Sequence, residues 1–468
     1  MATRGVSASA VGGIEGTPCN NHSETRADGT KGEITFKLNG KTVRISDRLD
    51  ARMTLLEYLR EHTRLTGTKA SCTQGGCGAC NVMLTTYKHG EVQYSSINAC
   101  LRPLMSLDGL AITTTEGIGS RKIGYHPVQE RLADCNGTQC GFCTPGHVMA
   151  MYSALRDKGD RPMTAVEVEE RLDGNICRCT GYRPILTAAQ SFSSDGENKT
   201  DVTGLANSSF EKYDPSSEPP PPIDFLAAET QPLRIDGSNG TQWLRPTNLT
   251  QLCALKRMHP TAVLVCGNTS TGVYGPHDAA STFIDVSRLP ELSSECSDHA
   301  TGLLVPAATT LTQLRKHLEA RTASSGSFIP IVNHLKKVAS WQVRNVGSVA
   351  GNLMMVRRRH FMSDVATLLM GTGATVQILR FDTEAVVDVP LLSFLRGEEG
   401  GDVQDEGFVL TSIMVPFLAA NEHYRTYRVA QRTNNSHAFI NAAMRMRVDA
   451  AGCITEAHLA FGCVGTLP

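Results

Sequence analysis

The clearest candidates for functional residues in this chain are two groups of cysteines whose spacing suits metal binding. The first quartet consists of Cys72, Cys77, Cys80 and Cys100. Its first three members follow the pattern C-x4-C-x2-C, which is typical of a loop that holds a [2Fe–2S] cluster. Three thiolates from one loop must converge on two irons, and Gly75, Gly76 and Gly78 supply the backbone freedom and free N–H groups for this. A structural zinc site, the alternative, usually takes paired ligands from two knuckles and fits this loop poorly.

A second quartet lies further along the chain, and its spacing is less specific. It consists of Cys140, Cys143, Cys177 and Cys179. A C-x2-C pair with a distant C-x-C pair suits zinc as well as iron and sulfur. Two features favour a second [2Fe–2S] cluster. Both pairs lie where helices are predicted to begin, so that helix dipoles and free amides stabilise an anionic cluster, and a neighbouring redox centre makes an electron relay sensible.

The composition excludes several classes of protein. The chain has 468 residues, of which 41% are hydrophobic, so about three domains with real cores are expected. A net charge of −1 gives no reason to expect nucleic acid or an anionic membrane as a partner. No apolar stretch approaches the ~20 residues of a membrane span, and the N-terminus lacks the apolar core of a signal peptide. We therefore expect a reducing compartment, the cytoplasm or alternatively the peroxisome, where clustered cysteines bind metal rather than form disulfides.

The elements around the first quartet are predicted to form a small sheet. Residues 33–47 alternate in polarity on both sides of Asn39-Gly40, which predicts a β-hairpin because both turn residues tolerate positive φ. Residues 53–60 have apolar side chains at helical spacing, and residues 81–86 and 91–94 are strand-like. Residues 33–116 are thus expected to form a β-grasp sheet with one crossing helix.

Helical patterns dominate residues 125–192, where we expect a bundle of about four helices. Thr144 followed by Pro145 predicts an N-cap and the first helical position. Thr164 and Glu167 form a capping box, and Gly174 suits a helix stop.

The rest of the chain is predicted to be a tail, a linker and an α+β domain. The run of four prolines in SSEPPPPID favours extended polyproline II. Beyond it, strands are expected at 262–266 and 374–379, and helices at 249–258 and 311–320. The expected units are a flexible tail (1–31), a sheet domain (32–118), a helical domain (119–192), a Pro-rich linker (193–237), the α+β domain (238–415) and its C-terminal subdomain (416–468).

Four segments together resemble the molybdenum hydroxylases, the family of xanthine dehydrogenase and aldehyde oxidase. They are CTQGGCGACNVML (72–84), NACL (98–101), QCGFCTPG (139–146) and NICRCTGYRPI (175–185). The resemblance is close over residues 33–192 and looser over 238–466. It implies an α+β multidomain fold with a plant-type [2Fe–2S] ferredoxin-like β-grasp domain, a four-helix [2Fe–2S] domain and an FAD-binding domain of the CO dehydrogenase flavoprotein type. It also implies that the eight cysteines are cluster ligands, and that Gln139 contacts the pterin of the molybdenum cofactor.

The same resemblance implies an FAD site in the third domain. As a bare motif, the turn in VLVCGNTSTG (263–272) is weak, although its N–H groups could cradle a pyrophosphate. VRNVGSVAGNLMM (343–355) resembles a second flavin loop of the family, and Asp364 matches an acidic residue that supports the flavin. The implied FAD contacts are Leu264, Val265, Cys266, Gly267, Asn268, Thr269, Ser270, Thr271, Ser348, Gly351, Asn352, Asp364, Leu410 and Arg428.

The chain departs from the family pattern near the expected flavin site. Ser270 stands where the family usually has Glu, and Arg428 stands where many xanthine dehydrogenases place Lys. Because Arg is permanently charged and forked, this is not a neutral exchange, and either NAD or O2 is left as electron acceptor. We expect Arg357, Arg358 and Arg359 to form a solvated basic loop rather than a phosphate contact. Surface or core positions are expected for His360, His423 and His437.

The resemblance predicts the electron-transfer portion of a molybdenum hydroxylase. The chain ends at HLAFGCVGTLP, inside the last flavoprotein unit, so the molybdenum centre is expected on a missing domain or a partner chain. Electrons from it would pass through the second cluster, then the first cluster, to FAD and on to NAD or O2. The family also implies a homodimer. The alternatives from other classes are a stand-alone iron–sulfur flavoprotein reductase and a scaffold whose cysteines bind structural zinc.

Overall fold

The structure, a computed structural model, describes residues 26–46, 49–159, 161–195, 210–275, 279–322, 328–398, 405–465 and 467. Within these ranges, none of the helices combines the length and the apolarity that crossing a bilayer requires. Residues 1–25 of the predicted tail and 196–209 of the predicted linker lie outside the described residues.

An N-terminal sheet carries the first quartet. Its strands are β1 (Ile34–Leu38), β2 (Lys41–Ile45), β3 (Asn81–Lys88), β4 (Glu91–Asn98) and β5 (Ala111–Thr113), in the order β2-β1-β5-β3-β4. The predicted hairpin turn is present, with positive φ at both Asn39 and Gly40. Helix α1 (Leu55–Glu57) begins at a capping box between Thr54 and Glu57 and continues as a π-helical turn, Tyr58–His62. The β-grasp prediction is confirmed.

Four helices follow, as predicted. They are α2 (Pro127–Asp134), α3 (Thr144–Lys158), α4 (Ala165–Arg171) and α5 (Arg183–Gln190). The capping box of Thr164 and Glu167 is confirmed, but two details were wrong. The N-cap of α3 is Cys143 rather than Thr144, and the Thr144 hydroxyl is hydrogen-bonded to the Thr138 hydroxyl at 2.7 Å instead of capping the helix. Gly174 does not end α4, which stops at Arg171. A Cβ on Gly174 would lie 1.9 Å from Gln342 Oε1, so close packing requires glycine there.

The third domain is built on two sheets. The four-stranded sheet has the order β6-β7-β9-β8 and contains β6 (Leu233–Asp236), β7 (Gln242–Arg245), β8 (Val263–Val265) and β9 (Thr282–Asp285). The five-stranded sheet has the order β10-β11-β14-β12-β13 and contains β10 (Ser297–His299), β11 (Gly302–Pro306), β12 (Thr375–Arg380), β13 (Val386–Pro390) and β14 (Phe408–Pro416). The helices are α6 (Ile223–Leu226), α7 (Leu249–Met258), α8 (Thr271–Tyr274), α9 (Pro290–Ser293), α10 (Leu311–Glu319), α11 (Phe328–Leu335), α12 (Trp341–Arg344), α13 (Val349–Arg359), α14 (Asp364–Thr372) and α15 (Leu391–Arg396).

A three-stranded antiparallel sheet closes the described chain. It contains β15 (Glu422–Ala430), β16 (Ala438–Val448) and β17 (Ile454–Gly462). Its inner face packs on α14, where the Tyr424 hydroxyl donates to the Leu368 carbonyl at 2.7 Å. The mixed α+β fold class is confirmed by the three domains together.

Two segments make more contacts than a free tail and an open linker would. The Lys31 amide donates to the Pro232 carbonyl at 2.9 Å, and Lys31 Nζ lies 2.6 Å from Asp108. Strand β6 lies inside the predicted linker, because the alternating Leu233 and Ile235 side chains are buried. The Pro-rich run itself is fastened to the helical domain through Glu218, to which the Tyr152 hydroxyl donates at 2.8 Å.

Candidate functional site: two thiol quartets and a flavin-sized cavity

The loop between α1 and β3 turns tightly around the first quartet. Gly75 and Gly78 have φ of +77° and +69°, a backbone conformation that favours glycine. This curvature aims N–H groups at sulfur: the Gln74 amide donates to Cys72 Sγ at 3.4 Å. Cys80 has a backbone donor, the Cys100 amide, and in addition a side-chain donor, Asn98 Nδ2, at 3.8 Å. Such donors stabilise negative charge on ligating thiolates.

The four thiols of the first quartet approach one another in two pairs. The thiol of Cys77 donates a hydrogen bond to Cys72 and lowers the pKa of Cys72 to about 5. In the same way, the thiol of Cys100 donates a hydrogen bond to Cys80 and lowers the pKa of Cys80. The pairs lie close enough for Cys72 to raise the pKa of Cys100 through its charge, in addition to the larger effects of Cys80 and burial.

The second quartet shows the same pairing at the surface of the helical domain. Cys140 is paired with Cys179, and Cys143 with Cys177. The Phe142 amide and then the Cys179 thiol lower the pKa of Cys140. Burial would raise the pKa of Cys177, but the Thr180 hydroxyl, 3.1 Å from its sulfur, and nearby amides hold it below its ordinary value. Cys140 and Cys179 are exposed, so this quartet faces solvent.

The pairing fits a binuclear cluster better than a single ion. Each iron of a [2Fe–2S] cluster takes two thiolates, whereas zinc needs four ligands around one point. Among the described residues, no three His, Cys, Asp or Glu side chains converge as ligands of one metal ion. The donor set, two pairs of thiols in each quartet with amides that donate to sulfur, fits a [2Fe–2S] cluster on each quartet.

The loops that carry the two quartets touch directly. The Ile176 amide, next to Cys177, donates to the carbonyl of Cys77 at 3.0 Å. The contact is tight because glycine lies on both sides of it: a Cβ on Gly146 would lie 2.1 Å from the Gly78 oxygen. A short route of covalent bonds and one hydrogen bond therefore joins a thiol of each quartet.

A cavity of about 570 Å³ opens in the third domain beside the first quartet. This volume is within the range of ligand sites. The residues that the family resemblance assigned to FAD and that line the cavity are Leu264, Val265, Cys266, Gly267, Asn268, Thr269, Ser270, Ser348, Gly351, Asn352, Asp364 and Leu410. Thr271 and Arg428 do not line it, and Gln139 lies elsewhere, exposed beside Cys140.

The turn after β8 is shaped by contacts with neighbouring loops. Asn268 has φ of 55°, and its side-chain amide donates to the Leu101 carbonyl at 2.9 Å, next to Cys100. A Cβ on Gly267 would lie 2.0 Å from the Val346 oxygen, so the turn and the second flavin loop pack backbone to backbone. Gly267, Asn268, Thr269 and Ser270 of this turn line the cavity, and successive N–H groups in such a turn can hold an anionic group.

Asp364 is a buried acidic residue of the cavity wall. Asn441 Nδ2 donates to its carboxylate at 2.8 Å, His334 Nε2 lies at 3.1 Å and Arg428 Nε at 3.4 Å. Burial would raise the pKa of Asp364, but the His334 hydrogen bond and the charge of Arg428 hold it below its ordinary value. Asp364 is thus a carboxylate at neutral pH. The Arg428 side chain is buried and does not line the cavity, so it acts on the cavity only through its ion pair with Asp364.

Several lining residues were missed at the level of sequence. Arg358 and Arg359 line the cavity and are exposed, as predicted, but the three arginines form the last turn of α13 rather than a loop, and the Arg357 side chain is buried against Asp405. His437 also lines the cavity, with its ring 5.7 Å from that of Phe361. The wall formed by Gln74, Gly75 and Gly76 comes from the first-quartet loop. Only the packing of two domains brings these residues together, and the spacing of residues along the chain carries no signal for it.

Three family models match this chain. A 2Fe-2S iron-sulfur cluster binding domain matches residues 36–104, a [2Fe-2S] binding domain matches residues 114–190, and the FAD binding domain in molybdopterin dehydrogenase matches residues 238–418. The three matches cover both quartets and all of the cavity wall except Asn435, Ser436 and His437.

Curated relatives match nearly the whole chain. Aldehyde oxidase 1 of Bos taurus is 35% identical over 92% of this chain and 34% of its own length. Xanthine dehydrogenase of Oryza sativa subsp. japonica is 34% identical over 94% of this chain and 36% of its own length. Abscisic-aldehyde oxidase of Arabidopsis thaliana is 35% identical, over 92% and 34% respectively. The chain thus spans about a third of the length of these relatives.

Solved structures give partial matches. Carbon monoxide dehydrogenase from Hydrogenophaga pseudoflava has a TM-score of 0.41 and 20% identity, over 48% of this chain and 75% of that one. Aldehyde oxidoreductase from Desulfovibrio gigas has a TM-score of 0.29 and 34% identity, over 34% of this chain and 16% of that one. On the three family models and the curated relatives, this chain belongs to the molybdenum hydroxylase family, as its N-terminal iron–sulfur and FAD-binding portion.

Proposed function

We propose that this chain carries electrons within a xanthine dehydrogenase- or aldehyde oxidase-like molybdenum hydroxylase. Electrons from a molybdenum centre on another domain or a partner chain enter at the second quartet, move to the first quartet and reach FAD. Bound [2Fe–2S] clusters supply one-electron transfer, and bound FAD collects two electrons for the acceptor. The protein itself holds, spaces and electrically tunes these groups.

The observation that carries this proposal is the unbroken contact from the second quartet to the cavity. The Ile176–Cys77 hydrogen bond joins the two thiol loops at 3.0 Å. On the far side, Gln74, Gly75 and Gly76 of the first-quartet loop are part of the cavity wall. Asn435 Nδ2 fastens that wall by donating to the Gly76 carbonyl at 2.9 Å. An electron carrier needs this serial arrangement, whereas a scaffold with structural zinc has no use for it.

We assign ligand roles from the same geometry. Cys72, Cys77, Cys80 and Cys100 hold the first cluster, and Cys140, Cys143, Cys177 and Cys179 hold the second. The turn after β8 holds the diphosphate of FAD on its N–H groups. Asp364, kept anionic by His334 and Arg428, supports the flavin as a hydrogen-bond acceptor.

The second quartet is the proposed side on which electrons enter. Cys140 and Cys179 are exposed, and Phe142, Ile176 and Tyr182 beside them expose 41–45% of their surface. Large apolar side chains around an exposed redox site are typical of a surface that another domain covers. We assign to Gln139, which is also exposed here, the contact with the pterin of the molybdenum cofactor that the family resemblance implies.

The remaining parts of the proposal concern the acceptor and the assembly. Either NAD or O2 accepts electrons from FAD, with Arg428 in place of the Lys of many xanthine dehydrogenases. The protein is a homodimer of the cytoplasm, or alternatively of the peroxisome. The boundaries 32–118, 119–192, 238–415 and 416–468 divide it into functional units.

Selective removal of the first cluster tests the order of transfer. The protein is purified with its molybdenum-bearing domain or partner, and an aldehyde or a purine is added anaerobically. In the parent, both EPR signals and flavin reduction should appear. In Cys80→Ser, the second cluster should still be reduced while the flavin stays oxidised, because its donor is gone.

Two outcomes contradict the proposal. Flavin reduction at the parental rate in Cys80→Ser would mean that electrons bypass the first quartet. A protein that holds iron and flavin but purifies with no molybdenum-bearing chain would instead be a stand-alone reductase. Thr73→Ala is the control, because Thr73 is exposed in the same loop and its hydroxyl bonds only the Cys72 carbonyl among the described residues.

A further inference from the structure

A series of buried side-chain amides leads from the first quartet to the FAD-binding domain. This amide chain consists of Asn98, Asn81, Asn175 and Gln342, which expose 3%, 1%, 6% and 0% of their surface. Asn98 and Asn81 belong to the sheet domain, Asn175 lies two residues before Cys177, and Gln342 lies in α12. The amide chain therefore crosses all three domains.

Its hydrogen bonds run without a gap. Asn98 Nδ2 donates both to Cys80 Sγ at 3.8 Å and to Asn81 Oδ1 at 3.1 Å, which uses both of its N–H groups. Asn81 Nδ2 then donates to Asn175 Oδ1 at 3.1 Å. The same oxygen accepts from Gln342 Nε2 at 2.8 Å. A side chain of the FAD-binding domain is thus connected to a thiol of the first quartet.

Two atoms of the amide chain have no partner among the described residues. They are Asn98 Oδ1 and Gln342 Oε1. A buried polar atom without a partner is uncommon and costs free energy. In both residues the oxygen is unpaired while the amide nitrogen donates, twice from Asn98 and once from Gln342, so the arrangement preserves the donors.

A hydrogen-bond donor at a ligating sulfur changes the reduction potential of the cluster. A hydrogen bond to a thiolate stabilises the more negative, reduced form of an iron–sulfur cluster and so raises its reduction potential. The donors to Cys72 and Cys100 are backbone amides, fixed by the loop itself. Cys80 also has a backbone donor, the Cys100 amide, but its second donor, Asn98, is a side chain that could turn away if Asn81 did not hold it.

We propose that Asn98 is a positioning residue that sets the reduction potential of the first cluster, and that Gln342 makes this potential depend on docking of the FAD-binding domain. The inference rests on the proposed function, since it needs a [2Fe–2S] cluster on the first quartet. Its consequence is that the first cluster becomes the better electron acceptor only when the flavin-bearing domain is in place.

The test is an EPR-monitored redox titration of the full, cluster-loaded protein. In Asn98→Leu, the ratio of reduced to oxidised first cluster at a fixed potential should fall about tenfold, which is 59 mV for a one-electron couple. Gln342→Met should shift the same cluster in the same direction, by about threefold. The second cluster should keep its potential in both variants and serves as the internal reference.

Asn345→Leu is the matched control. Asn345 Nδ2 also ties the end of α12 to the sheet domain, by donating to the Ser96 carbonyl at 2.9 Å, but it is not part of the amide chain. It should therefore leave the potential of the first cluster unchanged.

The outcomes separate this inference from the proposed function. An unchanged first cluster in Asn98→Leu, or an equal shift in Asn345→Leu and Gln342→Met, overturns the inference. If Asn98→Leu does not retain its cluster, the comparison of Gln342→Met with Asn345→Leu decides alone. A parent protein without a first-cluster EPR signal would overturn the proposed function itself.

Discussion

Replacing Gly146 by Ala measures how tightly the two cluster-bearing domains are joined. Gly146 lies in the first turn of α3, where a Cβ would lie 2.1 Å from the Gly78 carbonyl oxygen and 3.2 Å from Ala79 Cα. Real Cβ atoms essentially never come within 3.0 Å of such a neighbour. The two backbones would therefore have to separate by about 0.9 Å, which a close-packed interior resists.

The sign of the stability change is diagnostic. Ala is favoured over Gly in a helix by about 1 kcal/mol, so an unhindered site would make Gly146→Ala more stable. Overpacking typically costs about 1–3 kcal/mol. We therefore expect a net loss of up to about 2 kcal/mol in the free energy of unfolding, together with a longer Ile176–Cys77 hydrogen bond and slower transfer between the clusters.

Two assays and one control check this prediction. Urea unfolding gives the stability change, and the magnetic coupling between the two reduced clusters in low-temperature EPR reports their separation. Gly141→Ala is the control: its φ of +79° makes Ala strained, but no atom lies within 4 Å of the added Cβ. It should lose stability without weakening the coupling. A Gly146→Ala protein that is more stable than the parent, with unchanged magnetic coupling, would refute the close packing of Gly146 against the first-quartet loop.

Three other variants have defined outcomes. Arg344→Leu leaves the Asp173 carboxylate buried without its partner at 2.6 Å, so unfolding in urea should become easier by about 3–5 kcal/mol; a loss below 1 kcal/mol contradicts this. In Gly267→Ala, the added Cβ would lie 2.0 Å from the Val346 oxygen and should push the turn away from it. The purified protein should therefore lose flavin absorbance but keep both cluster signals, and a full flavin content would contradict this prediction. Hydrogen bonds from His126 and two tyrosines overcome burial and lower the pKa of Glu218 from 4.5 to about 2. Its contribution to stability is complete above pH 4.5 and is lost as the pH falls towards 2, so Glu218→Gln should flatten this part of the stability–pH curve, and parallel curves would contradict the assignment.

The sheet and helical domains could be predicted because local signals specify them. Asn39-Gly40 determines a hairpin, and the Thr164–Glu167 capping box begins a helix, whatever lies around them. The cysteine pattern is equally local, since three of the four thiols of the first quartet come from one loop. These features need no knowledge of the tertiary structure.

Features created by the packing of domains could not be predicted in this way. Gly174 looked like a helix stop, but it is glycine because Gln342, 168 positions further along the chain, packs against it. Arg357 was expected to be solvated, yet its side chain is buried against Asp405, 48 positions further along the chain. The amide chain has no sequence signature at all, because its members are ordinary polar residues until three domains meet.

Anaerobic reductive titration of the purified chain, followed by EPR and by iron and flavin quantitation, tests the central claim most directly. The account predicts two distinct [2Fe–2S] signals, one for each quartet, and an iron-to-flavin ratio of about four to one. Colourless protein that contains zinc, or a single iron–sulfur signal with flavin that cannot be reduced through it, would contradict the account.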